Sequence, residues 1–282
     1  MRYESIFRPG LFSGQTIVVT GGGRGIGRAA AHELAALGAH VALAARKQER
    51  LAQVRDEIVA AGGSASAHVC NIRDEAQVAA LFDAVLAERG MVHGLFNNGG
   101  GQFLSPAGQI TLKGWNAVVE TNLTGTFLMC REAFNRSMSK HGGAIVNMLM
   151  ENWRGFPGMA HSAAARAGIE NLTRTLAVEW ASSGVRINAV APGLIQSSGL
   201  ATYGEAIRPF LEQYRRDIPA KRLGTEAEVA AAVTFLLSPA AAYISGATLK
   251  IDAASSLWRK TWDIEEHERA APPFLGFQDD DS

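Results

Sequence analysis

Ser162 and Arg166 stand four residues apart in the stretch Gly158-Met-Ala-His-Ser-Ala-Ala-Ala-Arg-Ala-Gly168, so a helix there puts a hydroxyl and a guanidinium on one face, one turn apart. A serine hydroxyl does not shuttle protons near neutral pH, and an arginine stays charged. The pair can therefore donate hydrogen bonds and place a cation, but it is poorly suited to proton relay. His161 beside the serine and Glu151 upstream are side chains able to deliver a proton, with water as a third source.

A second constellation is Thr20-Gly-Gly-Gly-Arg-Gly-Ile-Gly27, set between an apolar run and an Ala-rich helical segment. Glycines let the chain turn tightly and approach a pyrophosphate, which then lies at the positive end of the following helix. In this context the motif reads as a dinucleotide site, with Thr20, Gly21, Gly23, Arg24, Gly25, Ile26 and Gly27 as contacts. The next apolar run ends Val-Ala-Leu-Ala-Ala45-Arg46-Lys47, with no carboxylate for a ribose 2′-hydroxyl. Arg46, helped by Arg24, instead suits a 2′-phosphate, which favours NADP(H) over NAD(H).

These groups need a scaffold, and the chain alternates short apolar runs with helix-length amphipathic segments. Strands are expected at Thr16 to Thr20, His40 to Ala44, Ser66 to Cys70, Gly94 to Asn97, Ala144 to Met148, Arg186 to Ala191 and Thr248 to Ile251. Helices are expected at Gly27 to Leu37, Gln48 to Ala61, Glu75 to Glu88, Trp115 to Lys140, Gly158 to Ser182 and Thr225 to Leu237. The pattern predicts an α/β fold: a single doubly wound Rossmann domain over residues 1–282, with a seven-stranded parallel sheet and helices on both faces. Residues 194–223 break the alternation and read as a substrate lid, and residues 253–282 as a C-terminal tail.

Composition agrees with a globular chain of this kind. The 282 residues are 47% hydrophobic and 19% charged, enough to bury a full core, and Lys plus Arg balance Asp plus Glu at 27 each. That balance argues against nucleic-acid partners and against attraction to an anionic membrane. Cys70 and Cys130 lack metal-ligand spacing and read as reduced thiols, so no metal is expected. The N-terminus shows neither a signal peptide nor a membrane span and the chain ends Asp-Asp-Asp-Ser, which together suggest a cytoplasmic protein.

The glycine motif, Asn97-Asn-Gly-Gly100, Thr121-Asn-Leu-Thr-Gly125 and Ala191-Pro-Gly193 together resemble the short-chain dehydrogenase/reductase family over nearly the whole chain. The resemblance implies that Asn97, Asn98 and Gly99 support the cofactor edge and that Asn71 and Ile72 lie at the adenine. It further implies that Pro192, Gly193, Ile195 and Ser197 line the nicotinamide, and that Asn122 belongs to the catalytic set. In this family a catalytic Tyr and Lys stand four residues apart; with Ala167-Gly168 as anchor, Ser162 and Arg166 occupy their places. The family's substrate-orienting serine is also missing, because Leu149 and Met150 follow Asn147. Arg166 can still hydrogen-bond a nicotinamide ribose, so it belongs to the cofactor contacts as well as the catalytic group.

Reduction of a ketone moves a proton directly onto the oxygen, which the missing Tyr would supply. Reduction of a double bond conjugated to a thioester needs only donors for the enolate oxygen and a proton later at Cα, and Ser162, Asn122 and His161 suit that role. Asn-Asn-Gly-Gly-Gly-Gln-Phe-Leu-Ser-Pro-Ala and His-Ser-Ala-Ala-Ala-Arg-Ala-Gly resemble peroxisomal trans-2-enoyl-CoA reductases and 2,4-dienoyl-CoA reductases. A catalytic Tyr of the dienoyl enzymes falls on Glu151, and a tyrosine of the trans-2-enoyl enzymes on Glu170, so neither donor carries over. The reading favoured is NADPH-dependent reduction of a 2-enoyl- or dienoyl-CoA. The alternatives are a terpenoid alcohol or aldehyde dehydrogenase, since citronellol/citronellal dehydrogenases share the His-Ser-x-Ala-Ala-Arg-Ala-Gly pattern, or a cofactor-binding protein that has lost catalysis. The helices Trp115 to Lys140 and Gly158 to Ser182 match the pair through which the family forms dimers and tetramers, so a homo-oligomer, with a homotetramer favoured, is expected.

Overall fold

Runs such as Thr-Ile-Val-Val-Thr bury side chains on both faces, which is the environment of a parallel strand sandwiched between helical layers. The computed structural model describes residues 2–197, 200, 208–257, 264–267 and 269–278. Its main sheet contains β2 (Thr16–Thr20), β3 (His40–Ala45), β4 (Ser64–Val69), β5 (Gly94–Asn97), β6 (Gly143–Met148), β7 (Val185–Pro192) and β10 (Thr248–Ile251). All seven strands run parallel in the order β10-β7-β6-β5-β2-β3-β4. The strand order reverses between β2 and β5, and ligands of such sheets bind outside the strand ends at that point.

Period-2 alternation shares the core between two layers. Ile17 and Val19 join a cluster with α1 (Gly25–Ala36), α2 (Gln48–Ala60) and α9 (Glu226–Leu237), through Leu34, Leu51 and Val233. Val18 points the other way, into a cluster with α3 (Glu75–Arg89), α5 (Gly125–Ala133) and α7 (Ala160–Glu179), through Phe82, Met129 and Leu176. Each fully buried Leu or Phe is worth about 1.5–3 kcal/mol, so both layers are firmly anchored to the sheet.

Several boundaries differ from the expectations, for local reasons. Gly25 already carries helical hydrogen bonding, because Arg24 supplies the extended cap, so α1 starts before Gly27. β4 begins at Ser64 and ends before Cys70, since its register follows β3 from His40 to Ala45. The helix expected from Trp115 begins at Leu112, where Thr111 caps Gly114 N, giving α4 (Leu112–Val119). It continues through α5 to α6 (Ser139–His141), interrupted by π-turns at Glu120–Thr124 and Phe134–Met138. The helix expected over Gly158 to Ser182 is confined to Ala160–Glu179, followed by a 3-10 turn at Ala181–Ser183.

Two features were not foreseen. The 194–223 stretch contains α8 (Arg208–Asp217), and the excursion is pinched at its base by parallel pairing of β8 (Ile195–Gln196) with β9 (Gly224–Thr225). The C-terminal segment returns to the N-terminus: β1 (Arg2–Tyr3) pairs antiparallel with β11 (Phe277–Gln278), and the Arg28 guanidinium lies 4.5 Å from the Phe277 ring centroid. Strands this short carry almost no periodic signal. No helix among the described residues is long and apolar enough to cross a membrane.

Candidate active site

At the sheet's reversal point, two loops are tied together. Thr20 Oγ1 accepts hydrogen bonds from Asn98 N at 3.0 Å and Gly99 N at 2.8 Å, while Asn98 Nδ2 donates to the Thr20 and Gly21 carbonyls. Thr20, Asn98 and Gly99 thus hold the shape of the glycine loop. A Cβ on Gly27 would stand 2.3 Å from the Gly21 carbonyl oxygen, so only glycine lets α1 approach the loop this closely. Gly21 and Gly25 both take left-handed φ, and Gly23 and Ile26 complete the turn into α1. Ile72 fills the space beside Gly99 and Gly125, and Asn71 Oδ1 accepts from Arg73 N in the turn leading to α3. This cradle, with its exposed backbone turn and helix N-terminus, fits the pyrophosphate and adenosine of a nicotinamide dinucleotide.

Arg24 and Arg46 are exposed at the mouth of the cradle, and Arg50, in the first turn of α2, packs its Cβ against Gly23. Among the described residues none of these three has a carboxylate partner, whereas neighbouring Arg28 and Arg55 pair with Glu57 and Asp56. Arg50 was missed from sequence. The signal was a helix start at Gln48, which brings its third residue back toward the preceding glycine loop.

Asn97 turns away from the cleft. Its Nδ2 donates to Asn147 Oδ1 at 2.9 Å and to Cys130 Sγ, and Asn147 Nδ2 continues to Thr173 Oγ1, forming a buried polar chain behind the site. Burial pushes the Cys130 thiol up to about 12 and the Cys70 thiol to about 11, so both stay neutral and unreactive.

Asn122, Ser162 and Arg166 are brought together, as expected, over the end of β6. The Arg166 guanidinium is buried, donating from Nη1 to the Met148 carbonyl at 2.5 Å and from Nη2 to Asn122 Oδ1 at 3.2 Å. Its Nε has no protein partner among the described residues, and burial lowers the group to about 10, still a cation at neutral pH. An unsatisfied N–H on a buried cation suits the polar face of a bound ribose. Asn122, in the first π-turn, has both Nδ2 protons committed, to the Gly101 carbonyl at 2.7 Å and the Val118 carbonyl at 2.8 Å. Its Oδ1 takes Arg166 and, at 3.3 Å, Gly101 N. Asn122 therefore organises the cleft wall in this arrangement and has no free proton for a substrate.

Ser162 is fully buried, with Oγ 3.3 Å from Gln102 Oε1 and 3.6 Å from Met150 Sδ. His161 Nδ1 accepts from Ser162 N at 2.8 Å, so in the neutral ring the proton sits on Nε2, which has no protein partner among the described residues. The imidazole meets Phe103 edge-on, centroids 4.3 Å apart. Glu151 is not joined to this group: Oε2 accepts from Tyr214 Oη of α8 at 3.1 Å and from Ser255 Oγ at 2.8 Å. Its backbone N donates to the Pro192 carbonyl, and Gly193 N to the Ile251 carbonyl, which fixes the loop leading to Ile195 and Ser197.

The fold and cradle define a nicotinamide-dinucleotide oxidoreductase of the doubly wound α/β class. A family model described as Enoyl-(Acyl carrier protein) reductase matches residues 21–254, and the chain belongs to the short-chain dehydrogenase/reductase family, whose members use NAD(P)(H). It is 37% identical over 247 residues to a Bacillus subtilis (strain 168) protein named "Probable 2,4-dienoyl-CoA reductase", spanning 86% of this chain and 97% of the relative. A citronellol catabolism dehydrogenase (AtuB) of Pseudomonas aeruginosa PAO1 is 58% identical, with TM-score 0.82, covering 90% of this chain and 100% of that one. A Beutenbergia cavernae structure described as a "putative NAD(P) dependent gluconate 5-dehydrogenase", with bound NADP at low occupancy, is 35% identical, with TM-score 0.83, covering 89% of this chain and 100% of that one.

Proposed function

We propose that the protein uses NADPH to reduce a carbon–carbon double bond conjugated to an acyl-CoA thioester. The observation supporting this reading is that the face of α7 presenting Ser162 and Arg166 carries hydrogen-bond donors and a fixed cation where proton exchange with a ketone would call for a phenol. When bound, the cofactor supplies the hydride. Arg166 would hold its ribose, and Arg24, Arg46 and Arg50 its 2′-phosphate, since these are the guanidiniums of the region left without carboxylate partners among the described residues. As negative charge builds on the thioester oxygen, the Gln102 carboxamide, held by the Ser162 hydroxyl, would receive it. The proton for Cα then comes from water or from His161; Glu151 acts as acceptor in both of its contacts.

Identity of 58% to a citronellol catabolism dehydrogenase supports a second reading, oxidation or reduction of a terpenoid alcohol or aldehyde without CoA. We also infer a homo-oligomer built on the Leu112–His141 and α7 helices, whose surface exposes Leu112, Phe127 and Val178.

The two catalytic readings separate in one assay. Purified protein is given NADPH or NADH with 2-enoyl-CoA, dienoyl-CoA, citronellal or, for NADP⁺ and NAD⁺, citronellol. NADPH consumption that depends on the acyl-CoA supports the proposal. Turnover of citronellol or citronellal alone replaces it with the second reading, and cofactor binding with no turnover of either set leaves a binding protein.

A further inference from the structure

Three consecutive residues of the loop after β5 are each clamped by a different group. Gly101 is held through both its N–H and its carbonyl by Asn122, Gln102 by Ser162 Oγ, and Phe103 by the ring of His161. A glycine-rich loop ordinarily has conformational freedom, and each clamp removes part of it before any substrate arrives. All three residues are exposed, and the Gln102 side chain bridges from this open loop to the fully buried Ser162 hydroxyl.

The direction of the Ser162–Gln102 hydrogen bond determines what faces the substrate. The serine has one proton, and the acceptors beside it are Gln102 Oε1 at 3.3 Å and the thioether sulfur of Met150 at 3.6 Å. An amide oxygen is a far better acceptor than a thioether, so the proton goes to Gln102. With Oε1 turned to the serine, the Gln102 Nε2–H₂ group is directed away from it, and among the described residues it has no protein partner. The opposite amide orientation would leave the serine proton on sulfur and present an acceptor where negative charge develops.

Resting on the functional reading above, we propose that Gln102 is the group that donates a hydrogen bond to the substrate's carbonyl oxygen, through Nε2, and that Ser162 is a positioning residue that orients the carboxamide. Asn122, with both amide protons spent, sets the height of the loop through Gly101. The same donor serves a thioester or an aldehyde, because the oxygen gains negative charge when hydride arrives at Cβ of the enoyl thioester or at the carbonyl carbon of the aldehyde.

A double-mutant cycle tests this. Removing one preorganised donor to a developing oxyanion costs about 10²–10³ in kcat, so Gln102→Ala and the near-isosteric Gln102→Glu are expected to lose that much, with the Kd for NADPH unchanged. Ser162→Ala should lose less, Ser162→Thr should recover most of that loss, and Ser162→Ala in the Gln102→Ala background should cost nothing further. If Ser162→Ala costs the same in both backgrounds, the serine donates directly and the proposal fails. A Gln102→Ala enzyme with wild-type kcat also overturns it. The cycle is run on a 2-enoyl-CoA or, if only the terpenoid is turned over, on citronellal. Lack of enoyl-CoA turnover by the wild type therefore defeats the substrate reading while still testing Gln102.

Discussion

Arg166 Nη2 donates to Asn122 Oδ1 at 3.2 Å, and Gly100 lies against both atoms: a Cβ there would stand 2.5 Å from the asparagine oxygen and 3.0 Å from the guanidinium nitrogen. Neither partner can yield easily. Asn122 is tied to Val118 and Gly101, and Arg166 to the Met148 carbonyl. The cleft wall is thus packed around the absence of one side chain.

Gly100→Ala is accordingly expected to cost about 1–3 kcal/mol by overpacking and to lower Tm by several degrees. It should reduce kcat/KM more than tenfold, because the displaced pair holds the loop that carries Gln102 and includes Arg166, the cation proposed to hold the cofactor ribose. Gly108→Ala, at a glycine with nothing within 4 Å of an added Cβ, is the control. Calorimetry and steady-state kinetics on the two variants check this, and equal behaviour would show that the pair tolerates rearrangement.

The proposed preference for NADPH rests on unpaired charge. Arg46 and Arg50 lack carboxylate partners among the described residues, while Arg28 is occupied by Glu57 at 2.7 Å. A hydrogen bond to a charged group is worth about 1.5–3 kcal/mol, so Arg46→Ala or Arg50→Ala should lower the NADPH-to-NADH ratio of kcat/KM by about tenfold or more. Arg28→Ala should leave the ratio near its wild-type value. The preference should also weaken as salt is raised.

Much of this was legible in the sequence, and the limits have physical causes. The apolar runs of β2, β3, β5 and β6 and the glycine motif are dense signals, because a strand buried on both faces has no freedom to be anything else. Ser162 and Arg166 were placed correctly on one face because helical spacing fixes them. Gln102 was invisible: a lone amide in a glycine-rich loop reads as surface until its partner is known. The Tyr214–Glu151 contact joins residues 63 apart in sequence. β1 and β11 pair the two ends of the chain, which local pattern cannot predict.

The Tyr214–Glu151 contact ties α8 of the 194–223 stretch to the loop after β6. Tyr214 Oη donates to Glu151 at 3.1 Å and lies 3.4 Å from Ser255 Oγ, with the phenol pushed up to about 12 by burial and, to a smaller degree, by the adjacent carboxylates. A phenol so shifted keeps its proton through the whole physiological range and works as a fixed donor. Tyr214→Phe should therefore leave NADPH affinity intact, raise the substrate KM several-fold, and increase cleavage of the 194–223 stretch in limited proteolysis. A KM rise that varied with pH between 6 and 9 would indicate that the phenol titrates, contrary to this account.

Acid stability follows from the buried and half-buried imidazoles. His32, His40, His68 and His93 all have values lowered from 6.5, primarily because burial penalises the charged ring. A lowered folded-state value means that the unfolded chain binds more protons once pH drops below about 6.5, so stability falls with pH from there until the folded value is passed. Glu57, Glu132 and Glu228 are held below 4.5 by arginine partners, which offset the opposing effect of burial, and they add a further loss as pH falls below 4.5. Glu33, raised by burial, works in the opposite sense over the pH range around and just above 4.5. The net expectation is a Tm roughly flat from pH 8 to 7 that declines between about 6.5 and 5. His40→Gln, which keeps a hydrogen-bonding side chain beside Ser64 and Ser66 but cannot charge, should flatten that decline relative to its own Tm at pH 7.5. If the slope between pH 6.5 and 5 is the same with and without His40, its protonation is not part of the acid sensitivity.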